Sequence, residues 1–586
     1  MNTNTDSLQP IINFLWTVAD DVLVNTYQKG KYKDVILPMV VIRRLDLLLE
    51  PTKEQVLKTF DEYKAKLQNL ESLLTNIKHG SGLAFYNTSR FTLKKLLDDP
   101  KNLRSNFENY LNGFSDNVQD IINKFKFRNE IETLDEAQIL FSLIEKFCSP
   151  KIELHPDKLP PLAMGYVYED LVRRFNEENN EEAGEHFTPR EIIDLMTHLV
   201  FLPVKDKIQQ GTYLLYDPCV GSGGMLTIAK NFMVNPDGPI KSKATVHLYG
   251  QESTPFIYAT CKSDMLIKGE DPDKIAYGST LSAYGFDNDL KFDFMLTNPP
   301  YGKTWAPDKK ALGVGEKGKI IDKRFKAGTS RVNDGQLMFV LHMLSKMKNT
   351  ELGSRIASVH NGSALFTGDA GGGESEIRKH IFENDLLEVI VALPNDMFYN
   401  TGIPTYIFVF TNRKAIHRKG KVQLINATSE KFYYKMRKPL GKKRVEFSAA
   451  HIPVIEKIFL DFEENEYSKI FDNADFGYSQ ITVHRPERDE KGKIIYASKG
   501  KPKADSKLKD SENIPLEEDI QEFFETEVLP FAPDAWWDEK DTKVGYEINF
   551  AKYFYQHQPP RPLSEIAKDI FAIEEETEGL LKEIIE

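Results

Sequence analysis

The segment FDFMLTNPPYGKTW (292–305) holds the residue types best suited to chemistry. An apolar run stops on Asn298, and Pro299, Pro300 and Tyr301 follow it. Two prolines cannot extend a strand ladder or open the middle of a helix, and a plain turn more often uses Gly, Asn or Asp. The segment is therefore built to be stiff. The amide oxygen of Asn298 and the carbonyl oxygen of Pro299 can both accept hydrogen bonds from one exocyclic NH2 group, and proline makes them converge without an ordering cost. Tyr301 offers a flat face on which a planar base can stack. The set fits an aromatic amine held and polarised beside a bound methyl donor.

A second constellation lies upstream. YLLYD runs into DPCVGSGGML (217–226), a strand, a glycine turn and the start of a helix. Such a turn brings backbone close to a ligand at the carboxyl edge of a sheet. Gly221, Gly223 and Gly224 are too tightly clustered for a dinucleotide fingerprint, and the loop lacks the lysine of a P-loop, so phosphate is not the obvious ligand. A side chain at Gly223 is expected to intrude where backbone must approach the ligand. Glu252 follows the next strand, TVHLYG, and an acid there can accept from both hydroxyls of a ribose. Taken singly, the glycine loop could be a tight turn and Glu252 a surface acid; together they describe a nucleoside site.

These residues need a sheet to hold them. YLLYD, TVHLYG, KIAYG, FDFMLTN, RIASVH, LEVIVALP and TYIFVFT are candidate strands, and helical stretches alternate with most of them. That alternation implies a mostly parallel sheet covered by helices. The last two strands leave no room for a helix and are expected to form an antiparallel hairpin at one edge. Ahead of the sheet, IINFLWTVADDVLVN, VILPMVVIRRLDLLLE and LDEAQILFSLIEKF show helical apolar spacing. A Pro-rich joint at 149–165 separates the two textures. Residues 484–512, rich in Lys, Asp, Pro and Gly, read as mobile or inserted. At the end, Leu563, Ile566, Ile570, Ile573, Thr577, Leu580 and Ile584 recur at alternating steps of three and four, a coiled-coil seam with one polar member. An amphipathic helix on the chain's own surface is the alternative to that seam.

DPCVGSGG and TNPPYG together resemble the DNA amino-methyltransferases that use S-adenosylmethionine. GEHFTPREI (184–192) resembles the cofactor-methionine motif of the modification (M) subunits of type I restriction-modification systems. FLWTVADDVL and YKDVILPMVVIRRLD are similar to the helical N-terminal domain of those subunits, and VALPNDMFYNTGIPTYIFVFT to their later motifs. The resemblance implies an α/β fold: a class I S-adenosylmethionine-dependent methyltransferase sheet, Rossmann-like, with an α-helical N-terminal domain and a C-terminal helical, coiled-coil tail. The expected divisions are a helical domain at 1–155, a catalytic domain at 156–425 and a C-terminal region at 426–586 with a subunit-docking helix at 563–586. The resemblance assigns Glu185, His186, Phe187, Thr188, Pro189, Arg190, Ser222, Gly223, Gly224 and Glu252 to the cofactor, with Gly221 in the same loop and Asp217 as its anchor. It assigns Asn298, Pro299, Pro300 and Tyr301 to catalysis, Phe398 as the second aromatic against a flipped base, and Tyr399 as a weaker claimant. Ser279 stands where the family usually has an acid near the adenine of the cofactor, and VNTY stands where an Arg-Gly pair is common.

The reaction so implied is methyl transfer to N6 of adenine in duplex DNA, the base leaving the stack to be reached. The motif by itself admits N4 of cytosine as well. Formal net charge is −12, which argues against a stand-alone, high-affinity DNA binder. Two runs depart from that balance. Gly302–Arg331 holds nine Lys/Arg and three Asp/Glu, and Lys431–Arg444 holds seven Lys/Arg and no acid. Each run is as readily a solvated loop as a binding surface. The expected partners are double-stranded DNA, a specificity (S) subunit that reads the sequence, a restriction (R) subunit in the full complex, and a second M chain on the same specificity subunit. A solitary DNA adenine methyltransferase is the main alternative, and a protein-glutamine or ribosomal-RNA methyltransferase a more distant one. The three cysteines form no metal-ligand pattern. With no apolar run of membrane-spanning length and no secretion signal, a cytoplasmic location is expected.

Overall fold

The computed structural model of the chain describes residues 8–151, 153–178, 188–313, 320–399, 401–497, 500–555 and 562–573. Residues up to Ile548 form one compact unit, and those from Asn549 form another.

The N-terminal part of the first unit is helical. In the helix Gln9–Leu23, Ile12, Leu15, Ala19, Val22 and Leu23 are buried, the three- and four-residue steps of one helix face. The helix Tyr32–Leu49 is buried on nearly all sides and forms the centre of this bundle. LDEAQILFSLIEKF, read as one helical stretch, divides instead between the helices Phe127–Glu136 and Leu140–Cys148. Gln138 between them adopts φ 60, a left-handed conformation that a continuous helix excludes.

The Pro-rich joint leads into the helix Pro161–Glu178. Met164 and Leu171 of this helix join the bundle core, and the helix Pro255–Lys268 is shared between bundle and sheet: Ala259 and Leu266 join the bundle core, Tyr258, Cys261 and Met265 the sheet core. Polar bonds fix the same contact. The Tyr258 hydroxyl donates to Asp120 at 2.7 Å, and the Lys262 ammonium reaches the same carboxylate at 3.2 Å.

The sheet is built from β1 (Thr212–Asp217), β2 (Thr245–Glu252), β3 (Ile275–Tyr277), β4 (Phe294–Thr297), β5 (Arg355–Asn361), β6 (Leu387–Leu393), β7 (Thr405–Thr411) and β8 (Lys421–Asn426). A small hairpin, β9 (Tyr434–Leu440) with β10 (Lys443–Glu446), precedes the ninth sheet strand, β11 (Ser468–Asp472). The order is β11-β8-β6-β7-β5-β4-β1-β2-β3. All seven strands expected from the sequence are present. β7 is antiparallel to both β5 and β6, so the expected hairpin exists. It does not lie at an edge, however. β7 inserts between β5 and β6, and β8 and β11 extend the sheet beyond β6. β6 and β7 are buried at nearly every position, and such two-sided burial suits interior strands.

The chain leaves β3 at one edge and returns to pair β4 with β1. The strand order reverses there, and ligands of open α/β sheets bind at that crevice. Beyond β11, β12 (Gly477–Val483), β13 (Asp510–Pro515) and β14 (Lys543–Tyr546) form a separate three-stranded sheet with its own small core around Ile481, Ile514 and Phe524. The stretch read as mobile or inserted connects β12 to β13 and enters β13 at Asp510. Its described residues pair across themselves, through Pro486 with Ala504, Arg488 with Ile494 and Tyr496 with Pro502.

Candidate active site

β1 lies between β4 and β2, and all three run in one direction. Register places Asp217 beside Gly250, so Glu252 projects just past the glycine loop on one side. Asn298 follows the last residue of β4 on the other. Gly221, Glu252, Asn298 and Pro300 line a single cavity with Pro218, Gln251, Ser279, Thr280 and Phe339. Residues from three separate motifs thus meet at the carboxyl edge of the sheet.

Asp217 holds the floor. Its Oδ1 accepts from the Cys219 N–H at 2.9 Å and from the Thr297 hydroxyl at 2.7 Å. It thereby ties the glycine loop to the end of β4. Burial pushes its carboxyl up to about 7, although the Thr297 and Cys219 bonds pull the other way and Glu252 adds to the rise. The loop itself is a turn in which Gly221 and Gly223 take φ 54 and φ 87, values that favour glycine. A Cβ on Gly223 would lie 2.7 Å from Met265 Cε and 3.1 Å from Cys261 Sγ. It would therefore strike the helix Pro255–Lys268. A side chain here is thus aimed at that helix, and the backbone angle is what favours glycine at this position.

Glu252 is buried, and its Oε1 accepts from the Thr254 N–H at 2.7 Å. Gln251 organises the far wall: its Nε2 donates to the carbonyls of Gly278 and Ala283, and its Oε1 accepts from the Gly285 N–H. This brings Ser279 to the cavity. The Thr280 hydroxyl closes the wall on the Pro218 carbonyl at 2.5 Å.

The Asn298 amide oxygen is buried and has no hydrogen-bond partner among the described residues. A buried acceptor in that state costs about 1–3 kcal/mol; other buried polar atoms share it, Ser358 Oγ and Thr405 Oγ1 among them, and what sets Asn298 apart is that it lines the cavity. Pro299 is buried and Pro300 exposed, and Tyr301 packs partly buried against the sheet core. A network behind them was not foreseen from the sequence. Asp334 accepts from the Gly302 N–H at 3.2 Å and from Gln336 Nε2 at 2.8 Å. Gln336 also bonds Asn361 and Ser363, and its Oε1 meets Nδ1 of His360. Burial drives the His360 imidazole down to about 3, so it stays neutral. The only local sign of this brace is NDGQ before an apolar helix, a pattern shared by many ordinary helix starts.

The other expected site residues fall elsewhere. Glu185, His186 and Phe187 lie outside the described residues. Thr188 and Pro189 lead into the helix Arg190–Phe201, and the Arg190 guanidinium sits 3.9 Å from the centre of the Tyr166 ring. Ser222 and Gly224 belong to the loop and the first helical position after it. Phe398 is 1 % exposed, within the core beside Met397. Tyr399 is half-buried against the helical bundle core.

Comparison with known proteins agrees with this architecture. The N-6 DNA Methylase family matches residues 162–482, and the HsdM N-terminal domain matches 11–147. The type I restriction enzyme MjaIX methylase subunit of Methanocaldococcus jannaschii is 25% identical over 480 residues, which are 78% of this chain and 77% of that protein. The HindI methylase subunit of Haemophilus influenzae is 30% identical over 266 residues, 45% of this chain and 54% of that protein. Among solved structures, the methyltransferase subunit of a type I restriction-modification system from Streptococcus thermophilus superposes with a TM-score of 0.59 at 21% identity, over 80% of this chain and 96% of that one. The family match covers the whole sheet from the helix before β1 to β12, and every motif that lines the cavity falls inside it. The chain therefore belongs to the N-6 DNA methylase family.

Proposed function

We propose that the protein transfers a methyl group from S-adenosylmethionine to N6 of adenine in duplex DNA, as the modification subunit of a type I restriction-modification complex. The observation that carries this reading is the unpartnered, buried Asn298 amide oxygen, in the same cavity as the glycine loop and Glu252. That donor set suits the cofactor: an acid for a ribose, close backbone at Gly221, and a free acceptor for an incoming amine. S-adenosylmethionine, when bound, supplies an electrophilic methyl group.

The chain's own residues do the rest by positioning. Glu252 would accept the ribose hydroxyls, and residues 185–190 would hold the methionine end. Asn298 Oδ1 and the Pro299 carbonyl would accept the two amine hydrogens and aim the nitrogen lone pair at the methyl group. Tyr301 would flank the extruded base, and Phe398, 1 % exposed in the core, would have to turn out of its packing to serve as the second aromatic. The Asp217–Thr297 bond keeps the donor loop and the acceptor motif in fixed relation, the preorganisation from which such catalysis draws its rate. The partners in this reading are double-stranded DNA, a specificity subunit, a restriction subunit and a second M chain. The place is the cytoplasm, and three free thiols suit its reducing conditions.

Asn298→Ala tests the chemistry. In a complex that methylates DNA, this variant should lose at least a hundredfold in methyl transfer while its calorimetric affinity for S-adenosylmethionine changes less than threefold. Near-normal turnover would remove Asn298 from the mechanism. Parallel assays on DNA, RNA and protein, with and without the specificity subunit, separate this reading from a solitary enzyme and from other methyl acceptors.

A further inference from the structure

The cationic run Lys431–Arg444 folds around the hairpin β9–β10, which among the described residues pairs with no other strand. Lys435, Arg437, Lys438, Lys442 and Arg444 are all exposed on it. In the other cationic run Arg324 is turned inward, bonded to the carbonyls of Thr280 and Leu281 at 2.9 and 2.6 Å and to Asp322, so one charge there is already committed within the fold, while Lys303, Lys310, Lys323, Lys326 and Arg331 are exposed. Of the five hairpin cations, only Lys435 has an acid within ion-pair reach among the described residues, the exposed Glu430 at 3.0 Å. In a chain of net charge −12, a surface element with this concentration of uncompensated positive charge fits a polyanion.

The hairpin is anchored at a definite place. Lys443 at its root is buried and pairs with Glu191 at 2.5 Å and Glu446 at 3.3 Å. The Lys442 N–H donates to the Tyr399 carbonyl at 2.9 Å, and the Arg444 N–H to the Asp396 carbonyl at 2.8 Å. Gly441 takes φ 60, and a Cβ there would lie 2.6 Å from the Tyr399 oxygen, so the close approach requires glycine. These bonds join the hairpin to the segment between β6 and β7 that carries Phe398. β6 runs in the same direction as β4 and β1, so this segment leaves the sheet at the same carboxyl edge as Asn298. Glu191 adds a tie to the helix that begins at Arg190. Lys435 and Arg437 lie two residues apart on one face of β9, about 6.8 Å along an extended strand. Charges so spaced can follow a backbone of regularly placed phosphates.

We propose that β9–β10 is a DNA-backbone clamp, whose exposed Lys and Arg neutralise phosphates of the duplex beside the base held at Asn298. This rests on the DNA-methylation reading above and adds to it the surface that holds the duplex. Phosphate contacts position a duplex without reading its sequence, so the clamp acts alike on every DNA.

The test uses the full chain and fluorescent duplexes of two unrelated sequences, with binding measured across a salt series. Combining Arg437→Gln, Lys438→Gln and Lys442→Gln should weaken binding to both duplexes at least tenfold at low salt. Because each phosphate contact contributes about 0.9 to the slope of log K against log salt, the slope should fall by about 2 to 3. Melting temperature and S-adenosylmethionine affinity should hold. A second variant, Lys435→Gln with Arg444→Gln, should reduce the slope by about 2 and guards against a folding defect in the first. An unchanged slope in folded variants overturns the clamp, as does a loss seen only in capture of an acidic protein. If Asn298→Ala is inactive and the slopes are unchanged, the clamp falls alone. If Asn298→Ala still methylates while the slopes drop, Asn298 leaves the mechanism and the clamp stands.

Discussion

Asp217 is a carboxyl group under the glycine loop with two hydrogen-bond donors and, among the described residues, no cation bonded to it. Its folded-state value of about 7 stands above the ordinary 3.8 because burial disfavours the charge. The unfolded chain releases this proton near 3.8, so between there and about 7 the folded protein holds a proton that the unfolded chain has lost. The stabilisation is full below the lower value and is lost as pH rises through the upper one, at about 1.4 kcal/mol per pH unit within the window. Asp217→Asn keeps a neutral acceptor for Cys219 and Thr297 and removes the titration. Thermal melts of the variant should therefore decline less between pH 5 and pH 7 than those of the wild type. Parallel declines would show that Asp217 is ionised in the fold.

The donor loop works as an element because strand, turn and helix each restrict it. Gly223 sits at φ 87 directly above Met265 and Cys261. An alanine there meets both left-handed strain, about 1–2 kcal/mol, and overpacking, about 1–3 kcal/mol. Gly223→Ala should therefore cost about 2–5 kcal/mol in denaturant unfolding. Any loss of cofactor affinity should follow from that destabilisation and diminish when Met265→Ala makes room below the loop. A variant as stable as wild type, with affinity alone abolished, would return the glycine to the ligand side.

For the whole molecule, the described part of the terminal unit is telling. Residues 563–573 are helical, and Leu563, Ile570 and Ile573 are 85%, 58% and 63% exposed; Thr577, Leu580 and Ile584 of the seam lie outside the described residues. Such a stripe calls for a cover, and on the proposed function a helix of the specificity subunit provides it. A chain ending at Arg561 should fold and bind S-adenosylmethionine as before, yet fail to co-purify with that subunit and lose sequence-specific methylation. Recovery of the shortened chain with the subunit at wild-type stoichiometry would leave the seam without that role.

Short-range rules made much of this protein readable from its residues. Strand runs, the glycine turn after YLLYD and the rigid Asn-Pro-Pro-Tyr end all follow from backbone chemistry within a few positions, and family resemblance joined them into one activity. What tertiary structure decided involves contacts between distant segments. Apolar runs alone did not reveal that β7 inserts between β5 and β6, or that β8 and β11 widen the sheet, because a buried strand's composition does not name its neighbours. Nor did a single motif show which way the missing side chain of Gly223 would point, or that Asp334 and Gln336 brace the acceptor loop across the sheet. The cationic run at 431–444 was visible as charge, but its place at the catalytic edge depends on Tyr399, Asp396 and Glu191, the last of them more than two hundred residues away in the chain.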